Sequence, residues 1–163
     1  MRIRVARRAD LDAIVEIYNQ AVASQSTADL DPVTVEGREE WFRLHPAERH
    51  PILVAEVEGE ILGWASVSGY RRERRALRHT AEIAYYVDAG HRRRKIGSEL
   101  VREAIRRCPS LGIKTLFAIL LEDNRASVGL LESLGFERWG RLPRVADFDG
   151  REVGQFYYGL RVG

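Results

Sequence analysis

The chain has 163 residues, of which 45% are hydrophobic and 31% charged, enough for one soluble globular domain with a continuous core and too short for a second of ordinary size. Arg and Lys total 26 against 24 acidic residues, and the resulting net charge of +2 is too small to imply nucleic-acid binding by itself. A single cysteine, Cys108, excludes an internal disulfide framework and a cysteine-based zinc site, and no apolar run is long enough to cross a bilayer or serve as a signal core, so the simplest expectation is a cytoplasmic protein.

Residues 2–6 alternate polar and apolar side chains, which predicts a short first strand. Asp10 is placed to cap a helix whose apolar positions Leu11, Ile14, Val15, Tyr18 and Val22 follow helical spacing. Thr34 is placed to cap a second, with Trp41, Phe42 and Leu44, that stops before Pro46. Residues 51–70 read as two apolar strands joined by a tight turn at Glu58-Gly59-Glu60. A charged loop, 71–78, precedes a strand at 80–88, a helix at 97–107 and a fully apolar strand at 114–121 that reads as central. Cys108 falls on the apolar side of that helix and reads as a small core residue. Asn124 can cap a short helix ending at Gly135, and residues 136–148 and 153–160 read as strands joined at Asp149-Gly150. This order predicts an α+β (mixed α/β) fold, a single sheet with helices packed on it.

Residues 80–100, TAEIAYYVDAGHRRRKIGSEL, concentrate the chemistry. One acid, Glu82, stands in a strand among apolar neighbours, and a loop carrying Arg92, Arg93, Arg94 and Lys95 opens a helix. The first amides of a helix have no internal partner and its dipole end is positive, so this strand-loop-helix unit is an anion site. Only two of the 26 basic residues are Lys; Arg grips phosphate or carboxylate in two-pronged fashion, which points to oxyanion ligands.

These residues carry a resemblance to the GNAT superfamily of N-acetyltransferases over nearly the full chain, and within it to the phosphinothricin-acetyltransferase-like, or L-amino-acid N-acetyltransferase, branch. The matching stretches are IYNQAV from Ile17, PILVAEVEGEILGWAS from Pro51, TAE from Thr80, YYV from Tyr85, RRRKIGSEL from Arg92, EDNRAS from Glu122 and LESLGF from Leu131. The resemblance implies the GNAT acyl-CoA N-acyltransferase fold, a mostly antiparallel twisted sheet with helices on both faces, and acetyl-CoA as cosubstrate with no metal. It also implies that the loop Arg92, Arg93, Arg94, Lys95, Ile96 and Gly97 cradles the coenzyme pyrophosphate. Tyr85, Tyr86 and Val87 would pair with the pantetheine arm, and Asn124 would contact the coenzyme near the thioester, with Ser133 a further coenzyme candidate. Lys95 departs from the pattern, which has glycine there, and so either turns outward or lends its ammonium to the anion.

An N-acetyltransferase needs a neutral amine, a place for its proton and donors for the oxyanion. Glu82 matches the family's TxE glutamate, and desolvation in its strand raises its pKa toward the range of a general base; the alternative is a structural Glu paired with a nearby arginine. Leu131 occupies the position where relatives place a Tyr or His acid, so the thiolate leaves unassisted, takes its proton from water, or takes it from Tyr85 or Tyr86. Arg74, Arg75 and Leu77 match the branch's acceptor segment, with Arg retained and Tyr replaced, and suit an acceptor carboxylate or phosphinate. Tyr18, Thr27 and Trp41 complete the expected wall. His79 and His91 are isolated and read as structural or exposed rather than as metal ligands. The reading is thus a small-molecule N-acetyltransferase, with a peptide N-terminal acetyltransferase and a basic nucleic-acid-binding module as alternatives. Neither nucleic acid nor membrane is expected as a partner, whereas a homodimer is, through Trp139 or Tyr157 and Tyr158.

Overall fold

The computed structural model describes residues 1–163 and contains seven strands and four α-helices. The strands are β1 (Arg2–Val5), β2 (Ile52–Val57), β3 (Glu60–Gly69), β4 (Thr80–Val87), β5 (Thr115–Leu121), β6 (Glu137–Phe148) and β7 (Arg151–Arg161). The helices are α1 (Leu11–Ala23), α2 (Val35–Arg43), α3 (Ile96–Arg107) and α4 (Arg125–Ser133). They form one sheet in the order β1-β2-β3-β4-β5-β7-β6. Every neighbouring pair is antiparallel except β4 and β5, which α3 connects as a parallel crossover.

Local chemistry explains the ends of most elements. Glu58 and Gly59 both adopt positive φ, as do Asp149 and Gly150, and such pairs bend the chain in the sense that matches strand twist. Thr34 Oγ1 accepts from the Gly37 amide at the start of α2, and Asn124 Oδ1 accepts from the Ser127 amide at the start of α4. Asp10 does not cap α1 as its position suggested. It ends a 3₁₀ turn, and its carboxylate accepts instead from the Arg7 amide at 2.6 Å and from Arg4 at 2.7 and 2.9 Å. The competing Arg4 guanidinium, itself largely covered and bonded to Glu56, holds the Asp10 carboxyl below its ordinary pKa.

Apolar side chains cover both faces of the sheet. Ala81 and Ile83 of β4 join Leu100, Val101, Ala104, Leu116 and Leu131 on the face covered by α3, with Tyr85 and Val87 packed against that cluster. On the other face Trp64 joins Leu11, Ile14, Tyr18 and Val22 of α1, and Tyr86 packs against it. Cys108 belongs to the first cluster; its thiol donates to the Ala104 carbonyl, and burial pushes it up to about 11, so it is an inert core residue.

Candidate active site

Pairing between β4 and β5 stops at Glu82. The two strands are in register at Thr80 with Thr115, Ala81 with Leu116 and Glu82 with Phe117, and no further. β4 nevertheless stays paired to β3 as far as Val87 opposite Gly63. The edge of β4 from Ile83 to Val87 that would face β5 is therefore free, and a backbone edge with unpaired amides and carbonyls can accept an extended polar ligand. A cavity of about 210 Å³ fills the opening, lined by Glu82, Tyr85, Tyr86, Ile119, Leu131 and Thr27 among others. It adjoins a cleft of about 550 Å³ that runs to the start of α3, and Tyr85, Tyr86, Ser26, Asn124 and Ser127 line both.

At the far end of that cleft stand Arg92, Arg93, Lys95, Ile96 and Gly97. No side chain caps α3, so its first amides are free to meet an anion. The approach to the loop is pinned by Asp88, which accepts from Gln20 Nε2 at 2.9 Å, the Gly90 amide at 3.0 Å and His91 Nδ1 at 2.6 Å. Gln20 in turn accepts from the Ala89 amide at 2.7 Å, tying the loop to α1. These contacts hold the Asp88 carboxyl below its ordinary range, with Gln20 the main cause and His91 next. Gly97 of α3 lies against α4: a Cβ there would meet Leu130 Cδ1 at 3.0 Å.

Lys95 adopts the left-handed conformation that glycine favours, with φ of 62°, and Arg93 does the same at 63°. The backbone thus takes a conformation that glycine adopts more readily, while the Lys95 side chain lines the cleft. Lys95→Gly removes a left-handed side-chain penalty of about 1 kcal/mol, so its urea midpoint rises slightly and calorimetry still detects CoA. Loss of CoA binding in that variant would make the ammonium, rather than the loop backbone, the anion's main partner.

Glu82 projects to the face of the sheet shared with Tyr86 and Trp64, opposite Ser68 on β3 and Phe117 on β5. It makes no ion pair and no hydrogen bond to another side chain, so the structural arginine partner considered from the sequence is not there. Burial alone raises its pKa, and no neighbouring cation opposes the effect. Beside it, Ser68 Oγ lies 2.8 Å from His45 Nε2, and His45 Nδ1 lies 2.6 Å from the Trp41 carbonyl oxygen. Phe117 heads an aromatic group with Tyr70, Trp139 and Tyr157, ring centroids 5.3 to 6.2 Å apart. Tyr85 Oη is buried and makes no well-formed hydrogen bond, although Ser127 lies beside it, and burial pushes the phenol up to about 12. A buried, unpartnered donor at the junction of cleft and cavity is available to a polar ligand there.

The residues singled out in the sequence are distributed unevenly. Tyr85, Tyr86, Val87, Arg92, Arg93, Lys95, Ile96, Gly97 and Asn124 share the cleft, and Thr27 and Glu82 line the adjoining cavity. Arg94 does not line the cleft, and Ser133 is exposed with its hydroxyl donated to the Leu130 carbonyl. Tyr18 lies beneath the site rather than in it, edge-on to Tyr86 with its hydroxyl donated to Asp29. Trp41 packs on Trp64 and His45. Arg74 and Arg75 are exposed and Leu77 half-buried in the loop before β4, and none lines either cavity. Tyr158 is 2% exposed and bonded to Glu132, which removes it from the candidate interface residues, whereas Trp139 is 44% exposed. Sequence reading missed Asp88, Gln20, Ser68, His45 and Phe117. Only Asp88 carried a local signal, an Asp two residues before a glycine.

The profile of the acetyltransferase (GNAT) family matches residues 11–136. The YwnH protein of Bacillus subtilis, provisionally named a phosphinothricin acetyltransferase, is 42% identical over 153 residues, 93% of each chain. The L-methionine sulfoximine/L-methionine sulfone acetyltransferase of Pseudomonas aeruginosa is 36% identical over 151 residues, covering 91% of this chain and 87% of that one. Among solved structures, the phosphinothricin acetyltransferase of Sinorhizobium meliloti in complex with acetyl-CoA superposes with a TM-score of 0.93 at 29% identity, covering 99% of this chain and 88% of that one.

Proposed function

The chain belongs to the acetyltransferase (GNAT) family, and from that membership we propose that it transfers the acetyl group of acetyl-CoA to the primary amine of a small amino-acid-like acceptor such as phosphinothricin, methionine sulfone or methionine sulfoximine. The observation that carries this reading is the parting of β4 from β5 immediately after Glu82. It puts one carboxylate at the inner end of a cleft whose outer end is a basic, uncapped helix start.

Arg92, Arg93, Lys95 and the first amides of α3 hold the pyrophosphate, whose charge the helix dipole favours. The free β4 edge pairs with the amide-bearing arm and delivers the thioester to the opening beside Glu82. Amides on that edge are the donors available to the carbonyl oxygen as it gains charge. Glu82 takes a proton from the acceptor's ammonium; the freed nitrogen lone pair attacks the thioester carbon and the C–N bond forms, the nitrogen sheds its second proton to water, and the C–S bond breaks as the carbonyl re-forms. Near neutral pH the acceptor's ammonium is mostly protonated, and a carboxylate whose pKa is raised by burial is suited to take that proton. Leu131, fully buried, has no proton to give, so the departing thiolate, of pKa near 8.5, takes one from water or from the Tyr85 phenol. Asn124 spends its side-chain oxygen on the α4 cap and keeps its NH2 as a donor toward the cleft. A homodimer is part of the same proposal, with the exposed Trp139, Leu142 and Val145 of edge strand β6 as its contact.

Thiol release from acetyl-CoA, followed over the amino acids, methionine sulfone, methionine sulfoximine, phosphinothricin and one peptide with a free N-terminus, tests the reading. Release with at least one small acceptor is the expected result. Release with the peptide alone moves the assignment to N-terminal acetylation, and release with none overturns it.

A further inference from the structure

Ser68 and His45 stand on the Glu82 side of the sheet, from two elements far apart in sequence, and the mechanism above does not use them. Their hydrogen bonds fix each other's protons. The Trp41 carbonyl can only accept, so His45 Nδ1 is the N–H donor at 2.6 Å. Burial, reinforced by Arg72, disfavours the imidazolium, so Nε2 carries a lone pair, and at 2.8 Å it accepts the Ser68 hydroxyl proton. Ser68 has only that one proton to give. Its Oγ is left with lone pairs alone to offer any other partner.

The partner is set by register. Ser68 pairs with Glu82 across β3 and β4, and directly opposed residues on one face hold their Cβ atoms about 5 Å apart. A carboxylate and an acceptor-only hydroxyl side by side attract a group with several N–H donors and offer nothing to a group that must accept. The thiol ester has no such donors at its reacting end; a primary ammonium has three.

We propose that Ser68 Oγ and the Glu82 carboxylate together receive the ammonium of the acceptor, with His45 as the positioning residue that keeps the Ser68 hydroxyl turned away. One N–H of the ammonium goes to Ser68 and a second to Glu82, which removes that proton; Ser68 exchanges none. The bond to Ser68 orients the remaining lone pair, once formed, away from β3. This rests on Glu82 being the base, and it adds a recognition element for the amine that is independent of whatever side chain the acceptor carries.

The test is steady-state kinetics of Ser68→Ala, Ser68→Thr and His45→Phe beside Glu82→Gln, with acetyl-CoA and the best small amine found by thiol release. Loss of a hydrogen bond to a charged group raises the amine KM of Ser68→Ala about 10-fold, with the acetyl-CoA KM unchanged. His45→Phe keeps a ring on Trp41 but frees the Ser68 proton, and it raises the amine KM in the same direction. Ser68→Thr retains the hydroxyl and returns the KM toward wild type. An amine KM unchanged in both Ser68→Ala and His45→Phe, with Glu82→Gln inactive, overturns this inference and leaves the base assignment standing. Full activity in Glu82→Gln overturns the base assignment and this inference with it. Equal rises in the KM for both substrates mark a general distortion of β3 and also overturn it.

Discussion

Glu82→Gln lowers kcat/KM for the amine by about 10²- to 10⁴-fold and leaves acetyl-CoA binding where it was. The substitution keeps the shape and removes only the ability to take a proton. The carboxylate is far from the Arg92 to Gly97 loop in function, lining the inner cavity and not the outer cleft, so coenzyme affinity measured by calorimetry is the internal control. Wild-type activity climbs with pH as Glu82 ionises, at a pH above the usual carboxylate range because burial raises its pKa. That limb is absent from the residual activity of Glu82→Gln. Stability moves the other way. An acid whose folded pKa is raised holds its proton more tightly folded than unfolded, so its contribution is present below the unfolded pKa and is lost as pH rises through the folded one. At neutral pH the ionised, unpaired Glu82 therefore weakens the fold, and Glu82→Gln melts at a higher temperature than wild type. The two melting curves converge in acid. A variant that is slower and more stable separates lost chemistry from lost folding, and one that keeps wild-type kcat/KM would remove Glu82 from the role of base.

Gly97→Val weakens CoA binding by about one to two decades, the equivalent of 1–3 kcal/mol of overpacking. A Cβ at Gly97 already meets Leu130 Cδ1 at 3.0 Å and Val87 Cγ2 at 3.6 Å, and branching at Cβ adds bulk where α3 and α4 converge on the cleft. The helices must part, and the amides that face the anion move with them. Leu130 is a flexible chain end, so Gly97→Ala is much milder. Leu130→Ala introduced beside Gly97→Val restores most of the affinity, because it vacates the space the valine needs. Calorimetry with CoA on the three variants reads this directly. Affinity equal to wild type in Gly97→Val would mean that the spacing of α3 and α4 does not shape the site.

Legibility of the site followed the range of the interactions that build it. Glu82 could be picked out because an acid between Ala81 and Ile83 in an apolar strand is a local anomaly, and the basic loop at Arg92 to Lys95 because four basic residues abut a helix start. The left-handed turn at Lys95 was harder to foresee, since nothing local says that a lysine will accept the backbone that glycine usually supplies. Arg74 and Arg75 were chosen by resemblance, and their exposure in the loop before β4 depends on where that loop lies rather than on its composition. Asp10 illustrates the opposite case: its local signal for a helix cap was sound, and a guanidinium from a neighbouring strand outcompeted it.

The amino-acid order by itself determined the elements and both tight hairpins, because helix period, strand propensity and turn dihedrals are properties of a few consecutive residues. It also marked the acid and the anion loop. Tertiary structure alone decided that β4 and β5 part after Glu82, that no arginine reaches that carboxylate, and that His45 turns the Ser68 hydroxyl away from it. Alternation fixes which way a side chain points but is silent on where a strand stops pairing with a neighbour some thirty positions on. That distance in sequence separates β4 from β5, and a similar one separates His45 from Glu82.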